Sequence, residues 1–234
     1  AGRATVKTTA TPAPEAPEVT SPANNSSTTE AAPSITGTGV AGATVTLSGD
    51  AEGTATVNAD GKFAVPTELG FGTYTVGVTQ SVNGVKSETR WLTFSVVPGA
   101  PTIVTPGNGN SYAEGKLPAV IGTSPIDGAK ISVSLDTADG SGLVGEATVE
   151  GGNWMVEFPE ALAAGNYTLS VTQGIAGVTS AAAESTFSVT AEGNGGGEEP
   201  TPAPTEAPTP APDAPAGPTP APAPSGDPHP APAH

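Results

Sequence analysis

One nine-residue stretch occurs twice in this chain and limits what it can fold into. It reads Gly72-Thr73-Tyr74-Thr75-Val76-Gly77-Val78-Thr79-Gln80 and returns as Gly165-Asn166-Tyr167-Thr168-Leu169-Ser170-Val171-Thr172-Gln173. Tyr74, Val76 and Val78 alternate with smaller or polar residues, and Tyr167, Leu169 and Val171 do the same. Side chains of a strand point to opposite faces with period two, so each copy is a strand with one buried and one wet face. A Leu-x-x-Gly-x-Tyr segment leads into each, Leu69 to Tyr74 and Leu162 to Tyr167. A Tyr entering a strand after a Gly-containing bend is placed for a tyrosine corner, in which its hydroxyl closes the bend of a β-sandwich. Tyr74 and Tyr167 are assigned that structural role. The chain reads as two copies of one β-sandwich with flexible flanks.

The neighbouring segments agree. Ala16-Pro17-Glu18-Val19-Thr20-Ser21-Pro22 is echoed by Ala100-Pro101-Thr102-Ile103-Val104-Thr105-Pro106. A short strand flanked by Pro suits a sheet edge, because Pro donates nothing to a ladder. The stretches that follow, Asn24 to Ser27 and Gly107 to Ser111, read as loops. Further strands are expected at Ser34–Thr38, Ala43–Ser48, Thr54–Val57, Lys62–Val65, Thr73–Gln80 and Glu88–Val97. Asp60-Gly61 and Asn83-Gly84 supply the positive φ that tight hairpins need. About seven strands per copy with no helical period argue an all-β fold. The second copy follows in step, with Trp154 in the place of Phe63 and a longer loop over Asp136 to Leu143. The expected organisation is residues 1–15 as the end of a preceding segment and a linker, 16–98 and 99–190 as the two sandwiches, and 191–234 as a disordered tail. The tail is acidic and Gly-rich, then Pro/Ala/Thr-rich, and holds more than half of the 26 Pro. The tract from Pro200 onward, as polyproline II at ~3.1 Å per residue, would reach roughly 100 Å.

Composition narrows the function classes. Aromatic residues are 4% of the chain, so Val, Ile, Leu and Ala must fill the cores. A net charge of −16, from 7 Lys+Arg against 23 Asp+Glu, repels phosphate backbones and anionic membranes. Neither nucleic acid nor membrane insertion is expected. With no Cys there is neither a disulfide framework nor a thiolate metal site. The first residue is Ala, and Ala4 to Thr8 looks like the last strand of an earlier domain, so a monomeric segment of a longer protein is expected.

The chemistry-bearing residues are few. The two His, His229 and His234, lie in the tail, which leaves the folded part without a Ser–His or Cys–His nucleophile pair. No catalytic residue, cofactor site or metal site is assigned. The carboxylates Asp50, Glu52, Asp60, Asp127, Asp136 and Asp139 fall where turns are expected, and Asp is favoured in turns for backbone reasons. Calcium ligation by Asp50, Glu52, Asp136 or Asp139 stays open as an alternative to solvated acidic turns. Thr73, Thr75 and Thr79, recurring as Thr168, Ser170 and Thr172, are expected on the outer face as ordinary exposed strand residues. Trp91 is the one candidate ligand contact. Leu92, Phe94 and Val96 face inward, so Trp91 faces out, and its counterpart in the second copy is Glu184. It is read either as a ring lying over neighbouring Thr and Lys stems or packed on the interdomain joint, or as an anchor for a sugar or a protein partner. Thr201, Thr205, Thr209 and Thr219 are candidates for O-glycosylation if the protein is exported.

Gly37-Thr38 to Gly42-Ala43-Thr44-Val45, Ala59-Asp60-Gly61-Lys62-Phe63 and Gly72-Thr73-Tyr74-Thr75-Val76 resemble the motifs of bacterial immunoglobulin-like repeat domains. The resemblance covers roughly residues 16–190. It implies tandem immunoglobulin-like sandwiches in secreted or cell-surface proteins, where such domains serve as spacers or accessory modules, and no shared catalytic residues. The tail is similar to cell-wall-spanning linkers, although Leu117-Pro118-Ala119-Val120 departs from a sortase motif. The expected function is a non-enzymatic extracellular stalk. Two alternatives stay open: a carbohydrate- or surface-binding adhesion module using Trp91, with cell-wall or other polysaccharide as partner, and an accessory region of a secreted hydrolase.

Overall fold

A computed structural model describes residues 9–191, and within them alternation of apolar and polar residues builds strands throughout and no helix. The first half forms β1 (Glu18–Ser21), β2 (Ser26–Thr28), β3 (Ile35–Thr38), β4 (Thr44–Gly49), β5 (Gly53–Thr56), β6 (Lys62–Val65), β7 (Gly72–Val82), β8 (Val85–Lys86) and β9 (Arg90–Val96). The second half repeats the series as β10 (Thr102–Thr105), β11 (Asn110–Ala113), β12 (Val120–Thr123), β13 (Lys130–Thr137), β14 (Gly140–Thr148), β15 (Asn153–Val156), β16 (Gly165–Ile175), β17 (Val178–Thr179) and β18 (Ala183–Thr190). Each half is a sandwich. Sheet β1-β3-β6 packs on sheet β2-β9-β7-β4-β5, with β8 attached to β7, and the second half has the same order. The expected tail, the segment before Thr9, both His and the tail threonines lie outside the described residues.

The seven anticipated strands of each copy are present, and two short ones join them. Asn24 to Ser27 and Gly107 to Ser111 were expected as loops, yet β2 and β11 lie there and pair in parallel with β9 and β18. Side-chain amides make this possible without an alternating pattern. Asn24 Oδ1 accepts from Thr93 N at 2.9 Å, and Asn108 Oδ1 accepts from Thr186 N at 2.9 Å. An Asn side chain thus opens each parallel ladder where a backbone carbonyl would otherwise stand.

The longer loop expected over Asp136 to Leu143 is a correction as well. β13 and β14 continue through it as one hairpin, pairing Ser134 with Leu143 and Thr137 with Gly140. The turn closes locally: Thr137 Oγ1 donates to Gly140 O at 3.0 Å and accepts from Asp139 N at 3.2 Å. The tip is exposed on both faces, so no alternation marked it.

The two cores share no residue. Ile35, Val45, Val65, Val76, Val78, Leu92 and Phe94 fill the first. Val120, Ile131, Val133, Trp154, Leu169, Val171 and Phe187 fill the second. Burying one such Val contributes roughly 1.5–3 kcal/mol. Each β3-type strand carries a glycine beneath the large aromatic of its neighbour, Gly37 beside Phe63 and Gly122 beside Trp154. A Cβ at Gly122 would overlap both the Trp154 ring and the Thr102 carbonyl, so only glycine lets the three strands close. Phe187 gathers Tyr112, Phe158 and Tyr167 around it with ring centroids 5.6–6.4 Å apart, whereas Phe94 pairs with Tyr74 alone at 6.0 Å. The Tyr74 hydroxyl donates to the Gly70 carbonyl at 3.0 Å, and that of Tyr167 to the Ala163 carbonyl at 2.8 Å.

Candidate functional site

The outer face of β7 and β9 carries the distinguishing side chains of the first sandwich. Alternation along β9 turns Leu92, Phe94 and Val96 inward and Trp91, Thr93 and Ser95 outward. Trp91 is 57% exposed. Its cross-strand partner on β7 is Gly77. A Cβ at Gly77 would lie 3.1 Å from Trp91 Cζ3 and closer still to Ser48 and Thr89. At Gly49 on β4 it would lie 3.5 Å from the same ring carbon. The indole therefore reaches across bare backbone of two neighbouring strands while keeping more than half its surface in solvent. Both residues above it in the ladder are hydroxyl pairs. Thr75 meets Thr93 at 3.2 Å between oxygens, and Thr73 meets Ser95 at 2.7 Å. Asp50 Oδ2 accepts from Thr75 N at 2.6 Å and pins the edge of β7 beside them.

The second sandwich has no such surface. Ser170 and Glu184 occupy the positions of Gly77 and Trp91. Thr168 and Ser170 sit half-buried on that face. Thr79, expected to be exposed with Thr73 and Thr75, is a correction: it is only 5% exposed, and its hydroxyl donates to Thr46 O at 3.4 Å.

The acidic candidates are not brought together. Asp50 and Glu52 belong to the first sandwich, while Asp136 lies within strand β13 and Asp139 at its hairpin tip. Asp136 was expected in a turn, and the extended hairpin corrects that. Asp127 Oδ1 accepts from Gly152 N at 2.8 Å, a turn-closing bond, and the turn holding Asp60 is capped by Asn58, whose Oδ1 accepts from both Asp60 N and Lys62 N. Among the described residues no group of three or more His, Asp or Glu side chains is placed to hold a metal ion. The hydrogen bond from Lys130 across to Glu146, with N and O 2.8 Å apart, holds the Glu146 carboxyl below its ordinary pKa; partial desolvation opposes this, and the Lys130 charge and Ser132 hydroxyl add to it. Its small stabilising contribution is present above the ordinary carboxylate range and fades as pH falls through the lowered value. Arg90 pairs with Glu18 at the surface below Trp91.

A second feature, a buried glutamine, is common to both sandwiches. Gln80 and Gln173 sit in the inward rows of β7 and β16 and are 3% and 1% exposed. Gln80 Nε2 donates to Glu15 O at 2.7 Å, and its Oε1 accepts from Val40 N at 2.9 Å. Gln173 Nε2 donates to Gly99 O at 2.6 Å, and its Oε1 accepts from the Ser124 hydroxyl at 2.6 Å. Ser87 and Ser180 complete each arrangement, accepting from the backbone N of the glutamine at 3.0 Å. In both copies the carbonyl seized is the one before an Ala-Pro pair, so the same buried amide ties the incoming chain to the sandwich. The available signal was a polar residue at an inward position, repeated in both copies.

A family model described as a bacterial Ig-like domain matches residues 108–191. The match falls on the second sandwich, and the first repeats its strand order. No curated protein matches the chain. Solved structures similar to it include a biofilm associated protein's BSP domain, at 22% identity over 75% of this chain and 29% of that one, with a TM-score of 0.29. The fibronectin(III)-like modules of Clostridium thermocellum CbhA align at 14% identity over 75% of this chain and 94% of theirs, with a TM-score of 0.32. A two-domain fibronectin type-III segment of chicken tenascin aligns at 13% identity over 75% and 98%, with a TM-score of 0.43. This chain thus spans under a third of the biofilm protein's length.

Proposed function

We propose that this chain is a non-catalytic extracellular spacer in a bacterial surface or secreted protein, holding a neighbouring segment at a distance. The observation that carries this reading is the joint between the sandwiches. Val97 N donates to Thr28 O at 2.9 Å, the last bond to the first sandwich. Gly99 O accepts from Gln173, the first bond to the second. Pro98 alone stands between them, and its ring restricts φ to about −65°. A one-residue joint anchored on both sides has little freedom to bend, in contrast to Gly/Ser linkers that behave as coils. A spacer needs that stiffness; an enzyme or a flexible tether does not.

Backbone 15N relaxation of the full chain tests it. Wild-type β1–β9 and β10–β18 are expected to tumble with one shared correlation time. Inserting Gly-Ser-Gly-Ser between Pro98 and Gly99 should give each sandwich its own, shorter correlation time, with Gln173→Ala moving partway. Independent tumbling in the unmodified chain overturns the spacer reading.

A further inference from the structure

Beyond a spacing role, we infer that the outer face of β7 and β9 is a binding site for a neutral, flat polysaccharide. Its equatorially linked pyranose rings would run along the strands from Trp91 toward Ser95. Four observations carry this. The first is that Trp91 is held out rather than tucked in. Gly77 and Gly49 put no side chain of their own against the indole, which lies over their backbone beside Ser48 and Thr89, and the ring stays 57% exposed. A large exposed aromatic on a polar sheet face is the feature of this surface that ordinary folding does not require, because Glu184 serves at the same register position in the second sandwich.

The second is the chemistry beside the ring. The C–H face of a pyranose is apolar and packs on an indole, while its hydroxyls seek donors and acceptors at the rim. The next two positions along the ladder, Thr75/Thr93 and Thr73/Ser95, supply paired hydroxyls. Each pair spends one proton on itself and keeps a second proton and free lone pairs for a ligand. The third is geometry. These positions follow Trp91 along the strand at two-residue steps, roughly 7 Å each at about 3.4 Å per residue. The result is an extended strip of apolar platform followed by polar rungs, suited to a ribbon-like chain rather than to a helical glucan or a globular partner. The fourth is charge. The protein carries −16 overall, which disfavours uronic-acid and phosphate-bearing polymers. Arg90, next to Trp91 in the chain, is already paired with Glu18.

The test uses the full chain in co-sedimentation with insoluble cellulose, xylan and chitin, with insoluble α-glucan and polygalacturonate as the contrasting polymers. Trp91→Glu copies the residue the second sandwich carries there, and Trp91→Tyr keeps a smaller ring. Thermal unfolding of both variants is measured alongside, since an exposed position should leave the fold intact. The expected result is saturable binding to at least one flat neutral glycan, weakened about tenfold or more by Trp91→Glu and less by Trp91→Tyr. Soluble oligosaccharides of the same glycan should shift the fluorescence of Trp91, Trp154 being buried at 3% exposure and remote from this face. Absence of binding to every flat glycan, equal binding to the acidic or α-linked polymers, or binding that survives Trp91→Glu in a folded protein would each overturn the inference. The spacer reading is untouched by any of these results, because it is decided by the relaxation experiment.

Discussion

At the scale of single residues, the two copies act as controls for each other. The turn joining β7 to β8 uses Asn83 and Gly84 with φ of 50° and 81°, and that joining β16 to β17 uses Ala176 and Gly177 with φ of 51° and 78°. Both are two-residue hairpins of the type that needs positive φ twice. Asn tolerates the left-handed region, whereas Ala pays roughly 1 kcal/mol to enter it. Ala176→Asn is therefore expected to stabilise the second sandwich by about 0.5–1 kcal/mol, read as a higher denaturation midpoint with an unchanged slope. Trp154 shows the opposite relation. Its indole N–H is buried without a hydrogen-bond partner, while Phe63 fills the equivalent position with no polar atom to satisfy. An unmet buried donor costs about 1–3 kcal/mol, so the second core carries a polar burden the first avoids.

At the scale of elements, pairing follows from alternation where one face is buried and from individual side chains where it is not. The strands β4, β7, β9, β13, β16 and β18 were legible because their inward rows are apolar and their outward rows polar. The outward position of Trp91 follows from the same arithmetic. The bare backbone beneath it was not legible, since it depends on the cross-strand register that sets Gly77 opposite. Nor were β2 and β11, short segments whose ladders are begun by the side chains of Asn24 and Asn108. The β13–β14 tip was hidden for a related reason: with both faces wet, nothing distinguishes strand from loop. Thr79 was misplaced because alternation gives the side of the sheet and not what covers it. The role of Asn24 can be checked directly. Asn24→Ala is expected to raise hydrogen exchange at the Thr93 and Val97 amides, which border β2, while Val76 and Val78 in the centre of the sheet stay protected. Unchanged exchange at Thr93 and Val97 would mean the backbone alone holds β2 in place.

At the scale of the whole described region, two cores without a common residue predict two cooperative units in series. Gly122→Ala should separate them. The added methyl group has no room between Trp154 and the Thr102 carbonyl, and overpacking of this kind costs roughly 1–3 kcal/mol. Calorimetry is expected to show one transition moved down and the other left in place. A single transition shifted as a whole would show that the sandwiches unfold together. A stiff joint would be compatible with independent cores, since the joint rests on the hydrogen bonds of the Gly99 carbonyl and the Val97 amide and no core residue is shared.

The parallel pairing of β2 with β9 has a mechanical consequence. The chain enters each sandwich through the strands that lead into β2 and leaves from β9, and these two lie side by side pointing the same way. Tension applied to the two ends would drag β2 backward and β9 forward along their common length. The hydrogen bonds between them cross that direction, so they would be loaded all at once in shear rather than opened one by one from an end. With β11 and β18 built identically, every module in the series would yield only when a whole ladder breaks, which suits a chain anchored at one end and pulled at the other.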